Sequence, residues 1–153
     1  MPSGKNALTT ADLVIVGLEA TTKQVATRML AERMVIAGRV TDIDGYLEDV
    51  RLREEQMNTG LPGGIGIPHA RSAHVTRPTV AIGISVKGVD FGAHDGPAHL
   101  IFLIGAPDGS DDAHLQILAA LARKLVHEDF RETLRNAESA AAIASIIQTD
   151  IKL

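Results

Sequence analysis

The sequence has no cysteine and no tryptophan, one tyrosine and three phenylalanines among 153 residues. Without cysteine there is no disulfide framework, no thiolate chemistry and no cysteine-based zinc site, a composition suited to a reducing cytosol. Aromatic rings are scarce, Lys and Arg are scattered and the net charge is −4. Neither stacking platforms nor a basic stripe are therefore present, and no nucleic-acid partner is expected. No apolar run approaches the roughly 20 residues of a membrane helix, and residues 1–10 lack the basic-then-apolar pattern of a leader. The chain reads as cytoplasmic, with no direct membrane insertion. What is there is 45% hydrophobic and 22% charged. Such a composition is globular, and the length suits a single domain, 1-153, with room for a full core.

Leu13-Val14-Ile15-Val16 is a short β-rich run closed by Gly17. Thr21 or Thr22 then caps a helix carrying Val25, Ala26, Met29, Leu30 and Ile36 on one face, and Gly38 ends it. Thr41 and Asp42 open a second helix in which Ile43, Tyr46, Leu47, Val50 and Met57 follow helical spacing. Asn58 to Pro68 is a glycine-rich connection. Thr79 to Val86 reads as a strand, Lys87-Gly88 as a turn, and Leu100 to Ile104 as a central strand buried on both faces. Ser110 or Asp111 caps the next helix, whose Ile117, Leu118, Leu121 and Leu125 share an inward face with His114. Glu128 to Arg135 and Ser139 to Gln148 are two further helices, the second capped by Ser139. The order is strand, two helices, strands, three helices. It predicts an α/β (α+β) fold: a three-layer α/β/α sandwich with a mixed central sheet, covered by helices on both faces.

The chemistry centres on Gly63-Gly64-Ile65-Gly66-Ile67-Pro68-His69-Ala70-Arg71. Glycines here let the backbone approach a ligand closely, and Pro68 stiffens the approach to His69. Main-chain N–H groups of Gly64, Ile65, Gly66 and Ala70 suit an anion, beside an imidazole whose unprotonated nitrogen is a nucleophile near neutral pH. A hairpin with a surface histidine is the plainer alternative. Thr59 and Ser72 flank the loop and can donate to an oxygen. Arg53 lies at the edge of the second helix's apolar stripe, with Glu54 and Glu55 expected to point elsewhere. Its guanidinium either turns inward to an anion or lays its stem over Met57. His114, in the first turn of its helix, either assists an anion there or is a structural histidine, with Asp111 and Asp112 complementing the dipole beside it. His74, His94, His99 and His127 have no metal-ligand spacing, and no Gly-x-Ser-x-Gly elbow supports a serine hydrolase. No metal and no cofactor is expected.

The run from Arg53-Glu54 through Thr59-Gly60 to Gly64-Ile65-Gly66-Ile67-Pro68-His69 resembles the enzyme IIA domain, mannitol/fructose type, of the bacterial sugar phosphotransferase system. Phe91 with Asp95-Gly96, the Leu100 to Ile104 strand, and Asp111-Asp112-Ala113-His114-Leu115 through Leu121-Ala122-Arg123 extend the resemblance over nearly the whole chain. It is nearest to fructose-specific enzymes of high-GC Gram-positive bacteria. Gly66 departs from it, since the family more often has alanine there, a difference expected to affect only loop stiffness. The resemblance implies that His69 is phosphorylated by the phosphocarrier HPr and passes the group to enzyme IIB, associated with membrane enzyme IIC, and that Arg53 and His114 assist. It also implies fructose as the sugar, with the chain either free or the N-terminal domain of a longer IIA-IIB-IIC polypeptide. Two alternatives share the fold. One is a nitrogen-related regulatory enzyme IIA acting by protein binding; the other is a non-phosphorylated domain such as those of anion transporters, which His69 in its full motif argues against.

Overall fold

The computed structural model describes residues 7–151. After a 3-10 turn at Ala11–Leu13, the chain forms β1 (Val14–Val16), α1 (Lys23–Ile36), α2 (Ile43–Gln56), β2 (Gly60–Leu61), β3 (Ile65–Gly66), β4 (His69–Ser72), β5 (Thr79–Val89), β6 (Ala98–Pro107), α3 (Asp111–Leu125), α4 (Glu128–Asn136) and α5 (Ala140–Asp150). The strands make one mixed sheet in the order β1-β5-β6-β3-β2, with β4 also paired to β6. β1 is parallel to β5, and β3 and β4 are parallel to β6, whereas β5 is antiparallel to β6 and β2 to β3.

β6 is the centre because its side chains are apolar on both faces. Leu100, Phe102 and Ile104 pack with Ile117, Leu121, Leu134, Ile143 and Ile147 of α3, α4 and α5. Ile101 and Leu103 pack with Ala26, Leu30, Met34, Tyr46 and Val50 of α1 and α2. A strand whose alternate side chains enter two hydrophobic layers has no polar face to show, which is why it reads as a continuous apolar run.

Local signals set the helix ends. Thr22 caps α1 by accepting from the Val25 N–H at 3.2 Å, and Asp42 caps α2 by accepting from the Gly45 N–H at 3.2 Å. At the far end of α1, Gly38 takes φ of 75°, which lets Arg39 N–H reach Met34 O at 2.8 Å and close the last turn. Ser139 caps α5 by accepting from the Ala142 N–H. Ser110 stands at the N-cap of α3, but its hydroxyl donates back to the Pro107 carbonyl rather than accepting from the helix.

Three expectations change. The buried stripe of α1 is Ala26, Leu30, Ala31 and Met34, while Val25 and Ile36 are exposed. Ala26, Leu30 and Met34, spaced by four, face the sheet with Met29 partly buried beside them, whereas Val25 and Ile36 lie off that row. α2 stops at Gln56, so Met57 lies beyond it and is exposed. β5 does not turn at Lys87-Gly88: it runs to Val89 through an irregularity after Ile84, with Gly88 at φ of 89°.

The connection expected over Asn58 to Pro68 holds two short strands, and β4 follows it directly. β3 pairs with Leu100 and Ile101 of β6, and β4 with Ile104 to Pro107, so the two lie end to end along one edge of β6. The break falls at Ile67-Pro68. Pro68 has no N–H to give, although its carbonyl accepts from Ile104 N–H at 3.0 Å, and Ile67 N–H turns to Thr59 O at 3.1 Å. The first residue after the break is His69.

Candidate functional site

His69 is the first residue of β4 and only 8% exposed, so it sits in the sheet edge rather than on a free loop. Its ring opens on a cleft of about 840 Å³ between α2 and the start of α3, walled by Asp49, Leu52, Arg53 and Gln56 on one side and by Asp108, Gly109, His114 and Leu115 on the other. β6 ends beside β4, and the chain turns there into α3, which brings the first turn of that helix over His69.

The Nδ1 of His69 lies 2.8 Å from the Ile67 carbonyl oxygen. A carbonyl only accepts, so Nδ1 carries the proton and Nε2 holds the lone pair. This is the partner that the sequence alone does not identify. Burial lowers the His69 pKa below the ordinary imidazole range; the Ile67 bond opposes that shift, the Arg53 charge adds to it and the Glu54 charge opposes it. The ring is therefore neutral near pH 7, with Nε2 ready to act as a nucleophile. His114 is 8% exposed in the first turn of α3, with its ring centroid 5.3 Å from that of His69.

Arg53 is half-buried on α2 and lines the cleft. Met57, which the alternative reading sets under the Arg53 stem, lies beyond the end of α2 and is exposed. Glu54 does not point elsewhere: it is 8% exposed, on the same buried row as Tyr46 and Val50, and accepts from both the N–H and the hydroxyl of Thr59. Only Glu55 follows the expectation, being exposed and paired with Arg51.

The proposed anion loop divides. Ala70 lines the cleft next to His69, but Gly64, Ile65, Gly66 and Thr59 do not. Ile65 and Gly66 sit in the ladder between β2 and β6. The Gly64 carbonyl accepts from the N–H groups of His99 and Leu100 at 2.8 and 2.9 Å, and Ile65 is a core residue. Thr59 is tied to Glu54. Gly66 provides room rather than loop flexibility: a Cβ there would come within 2.7 Å of the Phe91 ring. Glycine at this place makes space for Phe91, which corrects the expectation that its effect is on stiffness.

Three charged residues of the cleft are not singled out by the sequence reading. Arg71 lies two residues after His69 on the same face of β4, an alternation too short to notice in a four-residue strand. Asp49 is one helical turn before Arg53, a spacing that does place both on one face, and it accepts from the Ser72 hydroxyl at 2.6 Å. Asp108 stands in the turn before α3. Asp112 is exposed on the first turn of α3; the Asp111 side chain lies outside the described residues. Among the described residues, no three His, Asp or Glu side chains come together as a metal site, and no helix is long and apolar enough to cross a membrane.

Comparison with known proteins places this chain in a family. The family model described as "Phosphoenolpyruvate-dependent sugar phosphotransferase system, EIIA 2" matches residues 7–150. The chain is 42% identical over 143 residues to the "PTS system fructose-specific EIIA component" of Haloferax volcanii, covering 93% of each. It is 45% identical over 112 residues to the "PTS system fructose-specific EIIABC component" of Bacillus subtilis, covering 72% of this chain and 18% of that one. Among solved structures, the nitrogen regulatory protein IIA-Ntr of Neisseria meningitidis superposes with a TM-score of 0.83 at 28% identity, covering 92% of this chain and 96% of that one. Enzyme IIAMTL in complex with phosphorylated enzyme IIBMTL from Escherichia coli superposes with a TM-score of 0.77 at 25% identity, covering 92% and 98%. The match over almost every described residue means that this chain belongs to the EIIA 2 family of the phosphoenolpyruvate-dependent sugar phosphotransferase system.

Proposed function

We propose that the chain is a phosphoryl carrier in which His69 Nε2 is the atom that takes and gives the group. The observation that carries this reading is the bond from Nδ1 to the Ile67 carbonyl, which leaves Nε2 unprotonated in the cleft beside Arg53 and His114. In the transfer, the Nε2 lone pair attacks phosphorus in line as the donor's P–N bond breaks and its electron pair returns to the donor ring. Nδ1 keeps its proton, and the Ile67 carbonyl stabilises the positive charge that develops on the imidazole. The transition state is loose, so catalysis needs donors for the equatorial oxygens rather than a covalent helper. The Arg53 fork supplies two, and His114 and the exposed N–H groups at the start of α3 supply others. These contacts are moderate in strength, because the group has to leave again.

HPr is the donor and enzyme IIB the acceptor, with membrane enzyme IIC beyond it. The acceptor is supported by the solved complex of enzyme IIAMTL with phosphorylated enzyme IIBMTL, and by the Bacillus subtilis relative named as an EIIABC component. The work is cytoplasmic, and fructose is the sugar by likeness to the fructose-specific relatives. The N-terminal placement of such a domain in a longer IIA-IIB-IIC polypeptide fits the same reading. A regulatory role by protein binding is the second reading, favoured by the superposition on IIA-Ntr. Incubation with enzyme I, HPr and phosphoenolpyruvate, followed by mapping of the label, tests the carrier. Label on His69 alone, labile in acid and stable in base, is expected, together with its passage to enzyme IIB. Label on serine or aspartate, or normal labelling of His69→Ala, overturns it. Label that stays on His69 in the presence of enzyme IIB decides for the regulatory role.

A further inference from the structure

We propose that Glu54 is a positioning residue for His69, acting through a chain of hydrogen bonds that ends on the ring's Nδ1. The chain runs as follows. One Glu54 carboxylate oxygen accepts from Thr59 N–H at 2.9 Å, and the other from Thr59 Oγ1 at 2.7 Å. The Thr59 carbonyl accepts from Ile67 N–H at 3.1 Å. The Ile67 carbonyl accepts from His69 Nδ1 at 2.8 Å. Each link ties down the peptide that makes the next, and Pro68 stiffens the remaining step between Ile67 and His69.

The placement of Glu54 calls for such a role. An acid in the last turns of a helix opposes the dipole, and a carboxylate that is 8% exposed has given up most of its hydration. Lys23 Nζ, 3.6 Å from Oε2 and itself 3.4 Å from Asn58 Oδ1, offsets only part of that loss. The two bonds from Thr59 are charge-assisted and supply the rest. They also anchor the residue opposite Ile67, at the point where the β3–β4 edge is broken and no ladder bond to β6 holds the Ile67 N–H. Without that anchor the Ile67 carbonyl is not held toward the ring, and the proton is free to move to Nε2, which blocks the lone pair. The brace acts through this geometry and not through charge, since the Glu54 charge by itself favours protonation of the His69 ring. This assignment rests on the carrier reading for its use, but not for its physical content, which concerns the unphosphorylated ring.

The test reads the ring directly. In 15N-labelled unphosphorylated protein near neutral pH, the His69 ring-nitrogen signals are expected to report one tautomer, with the proton on Nδ1. Glu54→Gln keeps both contacts, its carboxamide oxygen accepting from Thr59 N–H and its NH2 donating to Thr59 Oγ1, and is expected to keep the wild-type signals. Glu54→Ala is expected to give mixed tautomers and transfer onto His69 slowed about tenfold or more, as for other residues that orient a reactive imidazole through its hydrogen-bond partner. Thr59→Val, which removes half of the brace at constant shape, is expected to fall between, and decides the matter if Glu54→Ala does not fold. Wild-type ring signals in Glu54→Ala, or in Thr59→Val where that variant decides, overturn the assignment. So does a Glu54→Gln protein as disturbed as Glu54→Ala, because the brace survives that change. The ring signals need no phosphoryl donor, so failure of the brace and failure of the carrier reading are separate results.

Discussion

The imidazole rings of His69 and His114 stand 5.3 Å apart with their planes tilted by 44°. One belongs to the first residue of β4 and the other to the first turn of α3, and the cleft opens between them and Arg53. If His114 donates to the phosphoryl oxygens, His114→Ala slows transfer by about a hundredfold, the loss expected when one preorganised donor is removed. It also shortens the lifetime of phospho-His69. His114→Gln keeps a donor and retains part of the rate. Rates, decay and melting temperature measured together decide the point: a His114→Ala protein with a lower melting temperature and no other defect returns His114 to the core.

Arg53→Lys keeps the charge but not the planar fork, and transfer is expected to slow by about tenfold or more, since a charged hydrogen bond contributes roughly 1.5–3 kcal/mol. A stably folded Arg53→Lys protein with the wild-type rate removes Arg53 from the site.

The pH dependence has a definite sign. Burial, with a further contribution from Arg53, holds the folded His69 pKa below the ordinary imidazole value of about 6.5. Nε2 therefore stays unprotonated, and transfer persists, as pH falls through about 6.5, until the lower folded value is reached. Over that window the unfolded chain binds the proton and the folded chain does not, so stability falls with decreasing pH; above it this group has no effect. Arg53→Gln removes the lowering charge, and the acid limb of the transfer rate is expected to move to higher pH. A limb that stays in place in that variant shows that Arg53 does not act on the ring.

Gly66→Ala is expected to destabilise the chain by about 1–3 kcal/mol, the usual cost of overpacking, because the new methyl meets the Phe91 ring at 2.7 Å. Phe91→Leu in the same background recovers part of that loss. Denaturant unfolding of the single and double variants measures both, and additive losses would mean that the two side chains do not meet.

Much of this protein was determined locally and was therefore legible in the sequence. The caps at Thr22, Asp42 and Ser139 and the stop at Gly38 depend on bonds within a few residues, and the Leu100 to Ile104 run declares a strand apolar on both faces without reference to anything else. His69, Arg53 and His114 were likewise legible as residue types in a pattern. What the tertiary structure alone decided is where those groups stand. β4 is four residues with no alternation to read, and it exists because β6 offers it an edge from Ile104 to Pro107. That pairing buries His69; Ile65 and Gly66 belong instead to β3, Gly66 against the Phe91 ring, which leaves Ala70 as the member of the expected loop that lines the cleft. Glu54 looks from the sequence like one more exposed acid beside Glu55. Its burial follows from the rotation of α2 set by Tyr46 and Val50 against the sheet, together with a Thr59 whose two donors arrive from outside the helix. Hydrophobic periodicity reports which side of a helix is apolar; it carries no information about which polar group a neighbouring segment will bring to meet it.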